Sequence, residues 1–146
     1  MFRNLTILAI LTVAAVAAFG QGSGNSGPSL GKWQFTGKDN TGLVWTGTLS
    51  IEKLDPTRFD AKRYHSMCSL EVESTDPNKG TKGVEGPCTW DPQTRAVSFT
   101  VAVMETHLYT AVLSPDGKSL LQGKWTDSKK ETIVSSGTWS AKLPAR

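Results

Sequence analysis

Hydrophobic and polar residues alternate along several stretches of this chain, as they do in half-buried β-strands. In the segment from Leu43 to Ile51, every second residue is apolar or glycine, whereas the residues between them are polar apart from Val44. The segment from 96 to 103 alternates in the same way, with Val97, Phe99, Val101 and Val103 on one face. Trp33 and Phe35 share a face near residue 31, and a long final strand places Ile133, Gly137, Trp139, Ala141 and Leu143 on one side. These patterns predict antiparallel strands.

Less regular stretches fill the gaps and are also predicted to be strands: Arg58 to Glu73, Val84 to Trp90, Thr106 to Leu113 and Leu120 to Thr126. Their connections contain Asp-Pro and Pro-Asp-Gly sequences that favour turns, and no long helical period appears. Strands joined by short turns, with no helix to cover a face, must bury their apolar sides against each other. The sequence therefore predicts an all-β fold, an antiparallel up-and-down β-barrel of about eight strands, with a β-sandwich as the alternative.

A glycine stands two residues from a tryptophan in four places: Gly31-Lys32-Trp33, Gly123-Lys124-Trp125, Gly137-Thr138-Trp139 and, reversed, Trp45-Thr46-Gly47. The two residues share a strand face, where the missing side chain lets a sheet bend or leaves room for an indole or a ligand. Two interpretations follow, which are core packing with curvature and an aromatic-walled cavity. The candidate ligand-binding residues are Trp33, Trp45, Phe99, Tyr109, Trp125 and Trp139.

The first residues resemble a secretory signal, with Arg3 before an apolar run from Leu5 to Ala18. Small residues at Ala18 and Gly20 predict cleavage before Gln21, and the run is too short for a spanning helix. We therefore predict a signal peptide at 1–20, a flexible Gly/Ser-rich lead-in at 21–30 and a barrel domain at 31–146. The mature chain is expected to be secreted or periplasmic, without a membrane span.

Cys68 and Cys88 are the only cysteines, and in an exported chain such a pair is expected to form a disulfide. A metal site with His65, three residues before Cys68, is the alternative, but the sequence contains no C-x-x-C pair. The 16 basic and 13 acidic residues are scattered, with Lys129-Lys130 the longest basic run, so no nucleic-acid partner is expected. We predict no metal and no cofactor.

No catalytic motif appears in the sequence, so the protein is not expected to be an enzyme. There is no G-x-S-x-G, no H-E-x-x-H and no phosphate-binding glycine loop. His107 in a predicted strand could be a general base, but the sequence shows no partner for it. Glu71 and Glu73 share a strand face and could act as acid and base, although alternate glutamates usually mark a solvated face.

The chain resembles the calycins, the lipocalin and avidin group of small exported barrels, in its strand count and in Gly31-Lys32-Trp33 near the start of the domain. The segment Trp45-Thr46-Gly47-Thr48-Leu49 and the tryptophans of the last strands extend the resemblance. Avidins place tryptophans in middle strands, where this chain offers Phe99 and Tyr109, and the lipocalin T-D-Y motif is Thr126-Asp127-Ser128 here. The resemblance implies a barrel with an internal or end-on binding site.

Two functions follow as expectations. The first is a non-catalytic barrel that binds a small apolar or aromatic ligand in an aromatic-lined cavity. The alternative is a secreted protein-binding module, such as a protease or lysozyme inhibitor, which would bind its protein partner through exposed loops. Accessible tryptophans would favour the first function, and fully packed tryptophans would favour the second. In the second case, the loops Asp76 to Gly80 and Asp127 to Lys130 are expected to form the edge that binds the protein partner.

Overall fold

Eight β-strands run through the part of the chain that the computed structural model describes, residues 26–102 and 105–146. Their bounds are Gly31–Asp39 (β1), Val44–Lys53 (β2), Ser66–Ser74 (β3), Thr81–Asp91 (β4), Ala96–Ala102 (β5), Thr106–Leu113 (β6), Ser119–Lys129 (β7) and Thr132–Lys142 (β8). A 3-10 helix at Pro77–Lys79 is the one helical element among these residues. The predicted signal peptide lies outside the described residues.

Every strand pairs antiparallel with the next one, and β1 also pairs with β8, which closes the barrel. At the closure, residues Gln34 to Asp39 of β1 lie opposite Lys142 to Gly137 of β8. A closed barrel satisfies the backbone hydrogen bonds of strands that would otherwise be sheet edges. The predicted up-and-down barrel is confirmed, and the sandwich alternative is wrong.

The alternation in the sequence now separates the inside of the barrel from the outside. Trp33, Phe35, Leu49 and Ile51 point inward and are buried, whereas Thr46 lies exposed on the outer face. The core consists of the inward-facing apolar residues of all eight strands: Trp33, Phe35, Trp45, Leu49, Ile51, Cys68, Leu70, Val72, Cys88, Val97, Phe99, Tyr109, Ala111, Leu113, Leu120, Trp125, Trp139 and Ala141. Burial of this apolar surface is the main force that holds the barrel together.

The segment from Arg58 to His65 is not a strand, contrary to the sequence prediction. Asp55 and Asp60 each accept a hydrogen bond from a backbone N–H two residues further on, at Thr57 and Lys62, and each begins a turn. Such side-chain bonds replace the ladder that a strand would need. The predicted strand therefore begins only at Ser66.

Ile133 is 61% exposed. The sequence predicted an inward position for it, because it is an even number of residues from Trp139 in the same strand. Lys130 and Glu131 form the β7–β8 turn with φ values of 48° and 65°, as in a type I′ hairpin. The register shifts between Asp127 and Ser128, just before this turn. A bulge of this kind breaks the two-residue period, so parity does not fix the face of Ile133.

Cys68 and Cys88 form a disulfide between the neighbouring strands β3 and β4, as predicted. Their Cα atoms are 5.8 Å apart, within the usual range for a disulfide. Both residues are buried, and neither thiol remains as a metal ligand.

Candidate functional site

The two ends of the barrel are built differently. One end carries residues 26–30, the loop 54–65 and the turns 92–95 and 114–118, and we call it the closed end. The open end carries the turns 40–43, 75–80 and 130–131. Because the strands run up and down, the last inward-facing side chains of each strand decide what each end can do.

Apolar side chains fill the closed end. Leu54, Leu113 and Leu120 are buried there, and the guanidinium of Arg95 donates hydrogen bonds to the carbonyl oxygens of Leu113 and Ser114 at 3.0 and 2.7 Å. These packed side chains and hydrogen bonds therefore cover the closed end of the barrel.

The described part of the predicted lead-in, residues 26–30, also lies against the closed end. Pro28 is buried, and the imidazole of His65 packs against Gly27 so closely that a Cβ there would lie 2.7 Å from Nε2. The Trp33 indole N–H donates to the Ser29 carbonyl oxygen at 3.1 Å. This stretch adds cover to the closed end, and the domain boundary at residue 31 stays a prediction.

The six predicted ligand-binding residues are all buried in the barrel interior: Trp33, Trp45, Phe99, Tyr109, Trp125 and Trp139. The Tyr109 ring is the centre of the cluster, with Phe99 stacked on it at 4.7 Å between ring centroids. Trp125 and Trp139 each lie 6.3 Å from Tyr109, and Trp139 also stacks with Phe35 at 5.3 Å. Phe35 therefore belongs to the cluster, although the sequence prediction did not include it.

Glycines make room for two of the indoles. A Cβ on Gly37 would lie 2.9 Å from the Trp125 ring, and Gly137 faces the same ring even more closely. Gly123 lies against Trp139, where a Cβ would be 2.5 Å from the indole. Of the two interpretations of the Gly and Trp pattern, core packing describes these positions, because indoles occupy the space that the glycines leave.

A cavity of about 10 Å³ lies beside the aromatic cluster, which is room for about one water molecule. It is lined by Phe35, Trp45, Leu70, Val72, Lys82, Tyr109 and Trp125. Lys82 is the exposed member of this lining and comes from the open end of β4. Its ammonium lies 4.5 Å from the centre of the Trp45 ring, in a cation–π arrangement. Lys82 therefore covers the end of the aromatic cluster that lies nearest to solvent.

Asp39 holds the rim of the open end beside Trp45. Its carboxylate accepts hydrogen bonds from the Thr41 and Leu43 backbone N–H groups and, at 3.3 Å, from the Trp45 indole N–H. These bonds position the indole under Lys82.

A groove opens in the wall of the barrel next to this rim. Strand β4 pairs with β5 only from Cys88 to Asp91, although β4 begins at Thr81. Pro87, the next residue toward the open end, has no N–H to continue the ladder. We call the resulting space the side groove; its volume is about 700 Å³, and its lining includes Gly83, Val84, Val101, His107, Lys129 and Lys130. This volume lies in the range of small-molecule sites.

The side groove and the interior cavity adjoin each other. Lys82 and Gly83 are consecutive, and one lines the cavity whereas the other lines the groove. Likewise, Tyr109 lines the cavity and His107, two residues earlier on the same face of β6, lines the groove. A molecule in the groove would therefore lie beside the aromatic cluster.

His107 has a partner that the sequence did not reveal. Its Nδ1 lies 2.7 Å from Oδ1 of Asp127, the residue directly opposite on β7. The Asp127 side chain is 8% exposed and that of His107 is 24% exposed. Burial, with a further contribution from the Asp127 charge, raises the pKa of Tyr109, so its hydroxyl stays protonated. The open end thus carries polar groups in a partly dry environment.

The remaining chemical candidates lie apart from this site. Glu71 and Glu73 are exposed on the outer face of β3, whereas the open-end groups point inward. Within residues 26–102 and 105–146, no group of three or more His, Cys, Asp or Glu side chains could hold a metal ion.

Comparisons with known proteins support the fold. No protein-family model matches the chain, and no curated protein does. Among solved structures, it is similar to a redesigned β-barrel, mFAP1, bound to DFHBI, with 12% identity and a TM-score of 0.53 over 82% of this chain and 96% of that one. It is also similar to EF1p2_mFAP2b bound to DFHBI, with 14% identity and a TM-score of 0.54 over 79% of this chain and 93% of that one. At these identities the likeness shows the barrel fold alone.

Two observations bear on the compartment. The Cys68–Cys88 disulfide is the kind of bond that persists in an oxidising environment. Over the described ranges, no helix has the length and apolar character needed to cross a membrane.

Proposed function

We propose that this protein is a non-catalytic binding protein of the calycin type, secreted or periplasmic, and that it takes a small apolar or aromatic molecule at its open end. The observation that carries the proposal is the side groove of about 700 Å³ next to a cluster of aromatic rings. Concave sites with apolar walls and a few polar groups are typical of small-molecule binding. The barrels bound to DFHBI support the proposal by analogy, since they share this fold.

The ligand would occupy the groove and the face of Trp45, because the cavity beside the aromatic cluster has room for about one water. To reach the indole it must displace the Lys82 ammonium. A cation–π contact at an exposed site contributes only about 0.5–1 kcal/mol, so an aromatic ring can compete with it. Trp45 is thus the indole that we expect to contact the ligand, whereas Trp33 lies toward the closed end and serves as core.

Tryptophan fluorescence tests the proposal. The purified protein is titrated with a panel of small aromatic compounds that includes DFHBI, and a saturable change is expected for at least one of them. Trp45→Phe should reduce that change strongly. Trp33→Phe is the matched control, since it removes a buried indole near the other end and should leave the affinity as it was. A panel without any saturable response, or equal loss in both variants, would contradict the proposal.

A second candidate function is protein binding, which the burial of the tryptophans in the barrel interior favours. The hairpin of β7 and β8 favours it as well. Ile133 and Val134 are 61% and 55% exposed there, next to the predicted binding edge at Asp127 to Lys130. Adjacent exposed apolar side chains are a feature of protein-binding surfaces. Ile133→Ser with Val134→Ser should abolish capture of a protein partner if this function is correct and leave small-molecule titrations unchanged.

A further inference from the structure

The loop 54–65 at the closed end contains a tandem repeat. Residues 55–59 read Asp-Pro-Thr-Arg-Phe and residues 60–64 read Asp-Ala-Lys-Arg-Tyr, so the pattern Asp-x-x-Arg-aromatic occurs twice without a gap. We call these segments the Arg58 unit and the Arg63 unit, and together the double unit. The five-residue period places the same residue types at equivalent positions of two successive turns.

The two units have the same backbone structure. Each aspartate carboxylate accepts a hydrogen bond from the backbone N–H two residues further on, at 2.9 Å in both units. Each aspartate carbonyl oxygen accepts from the N–H groups of the arginine and the aromatic residue, at 3.2 and 3.1 Å in the Arg58 unit and at 3.0 and 2.9 Å in the Arg63 unit. Such bonds define the backbone of a turn. The sequence repeat is therefore also a structural repeat.

Each arginine lies over the ring of its own unit. The guanidinium carbon of Arg58 is 5.3 Å from the centre of the Phe59 ring, and that of Arg63 is 5.2 Å from the centre of the Tyr64 ring. The two rings meet edge to face, with their centroids 6.2 Å apart. Both rings are half-buried, whereas both arginines are exposed. The rings thus support two guanidiniums on one continuous surface.

The two guanidiniums have no anionic partner in the described part of the chain. No carboxylate there lies within ion-pair distance of them, and neither makes a hydrogen bond to these residues. Asp55 and Asp60, the acidic residues of the loop, accept backbone N–H bonds of their own turns instead. A planar guanidinium with available N–H groups matches the two oxygens of a carboxylate.

The charges of the whole closed end also favour an anionic partner. Its loop and turns, with the strand residues that flank them, carry seven basic side chains and four acidic ones, with His65 counted as neutral. These are Lys53, Arg58, Lys62, Arg63, Arg95, Lys118 and Lys142 against Asp55, Asp60, Asp91 and Asp116. Arg146 is left out, because a terminal carboxylate beside it would balance its charge. Counted in the same way, the open end has three basic and four acidic side chains: Lys79, Lys129 and Lys130 against Asp39, Asp76, Glu105 and Glu131. The cationic end attracts polyanions.

The surface of the double unit distinguishes between classes of polyanion. The loop exposes no large apolar side chain, whereas protein interfaces and membrane-bound surfaces depend on apolar contact. Phe59 and Tyr64 are half-buried under the guanidiniums, so they are not the exposed platforms on which nucleobases stack. A linear acidic polysaccharide needs neither feature, because its carboxylates repeat along the chain and each can pair with a guanidinium.

We propose that the double unit binds a linear acidic polysaccharide. Arg58 and Arg63 each pair with a carboxylate of the same polysaccharide chain, and the exposed Lys62 adds a third positive charge. The inference goes beyond the proposed function, because it concerns the outer surface of the opposite end.

Fluorescence anisotropy with a labelled oligogalacturonate tests the inference. The full protein should bind this oligomer saturably, and the methyl ester of the same oligomer should bind about tenfold more weakly or less, because it keeps the sugar rings but has no carboxylates. Oligothymidylate and oligoglutamate of the same length are the comparison polyanions and should also bind more weakly. Equal binding of the methyl ester, or equal binding of either comparison polyanion, would contradict the assignment.

Two pairs of substitutions distinguish the guanidiniums from net charge. Arg58→Lys with Arg63→Lys keeps the charge and should lower the affinity about fivefold, because an ammonium cannot hold both carboxylate oxygens in a fixed fork. Arg58→Gln with Arg63→Gln should lower it about tenfold or more. Circular dichroism checks the fold, and the single variants replace a pair that does not fold, with a loss of about threefold expected for each.

Lys38→Gln with Lys79→Gln is the matched control, since it removes two exposed charges far from the double unit and should leave the affinity unaltered. An equal loss in this control, or an unchanged affinity in the lysine pair, would show that the oligomer responds to net charge alone and that the inference is wrong. Titrations of the open end with small aromatic compounds are independent of these results. A protein that binds those compounds but not the oligogalacturonate would overturn this inference and leave the proposed function standing.

Discussion

The closed end and the open end of this barrel use the same strands for opposite purposes. At the closed end the inward positions carry Leu113, Leu120 and the disulfide, all buried. At the open end the inward positions carry Lys82, His107 and Asp127, which are polar and in part exposed. Buried polar groups stabilise a fold less than apolar ones, and they need partners to be tolerated at all. The difference indicates that the closed end provides more of the stability, and it agrees with the proposal that a ligand binds at the open end.

Truncation of a closed-end leucine should have the largest effect. Leu120→Ala removes a fully buried side chain and leaves a cavity, for which we expect a loss of about 2–5 kcal/mol in the free energy of unfolding. Val101→Ala in the side groove is the comparison, and it should cost about 1 kcal/mol because that side chain is only half-buried. Urea denaturation measures both. Equal losses would remove the distinction between the ends.

Loss of the disulfide should cause the second largest decrease in stability. Cys68 and Cys88 are 20 residues apart, and closing a loop of this size in the unfolded chain contributes roughly 3 kcal/mol to stability. Cys68→Ala with Cys88→Ala should therefore lower the midpoint of urea denaturation, whereas ligand titrations at the open end should be unchanged. A variant that unfolds normally but no longer binds would show that the disulfide also shapes the groove.

The third prediction concerns the glycines that face indoles. Gly137→Ala adds a methyl group against Trp125 and should cost about 1–3 kcal/mol through overpacking. Gly83→Ala is the matched control, as a Cβ there would lie 3.9 Å from its nearest neighbour, the Leu70 carbonyl oxygen. Thermal unfolding of the two variants gives the comparison. A tolerated Gly137→Ala would mean that Trp125 and the Lys38 carbonyl oxygen, 2.5 Å from the added Cβ, can both move.

The strands could be predicted from the sequence because each has one face in the core and one in solvent. That condition holds for Trp33, Leu49 and Phe99, and their burial followed from parity alone. It fails where a bulge or a side-chain bond interrupts the ladder, as at Ile133 and in the turn that begins at Asp60. Such features depend on local hydrogen bonds, which produce no periodic pattern of apolar residues in the sequence.

The sequence predicted that these aromatic residues share the apolar strand faces, but it did not predict how they pack. A glycine beside a tryptophan is compatible with both a cavity and a filled core, and only the three-dimensional contacts of Gly137 and Gly123 distinguish them. The His107–Asp127 pair was missed because the two residues are 20 positions apart. The turn pairs Leu113 with Leu120, a register that would place His107 opposite Thr126. The register shift between Thr110 and Val112 brings Asp127 opposite His107 instead, and this irregularity has no signal in the sequence.

The smallest effect is expected at Lys82, and it addresses the open end directly. The ammonium over Trp45 contributes about 0.5–1 kcal/mol at most, so Lys82→Met should change the free energy of unfolding by no more than that. A neutral aromatic ligand would no longer have to displace this cation, and its affinity in fluorescence titrations should rise by about two- to fivefold, which is the same energy expressed as a binding constant. Methionine keeps the apolar stem, so the change isolates the charge. Lys124→Met, on the exposed outer face of β7, is the matched control and should leave the affinity unaltered. A fall in affinity in Lys82→Met would instead identify Lys82 as a ligand contact, because a side chain that only covers the site cannot strengthen binding by being present.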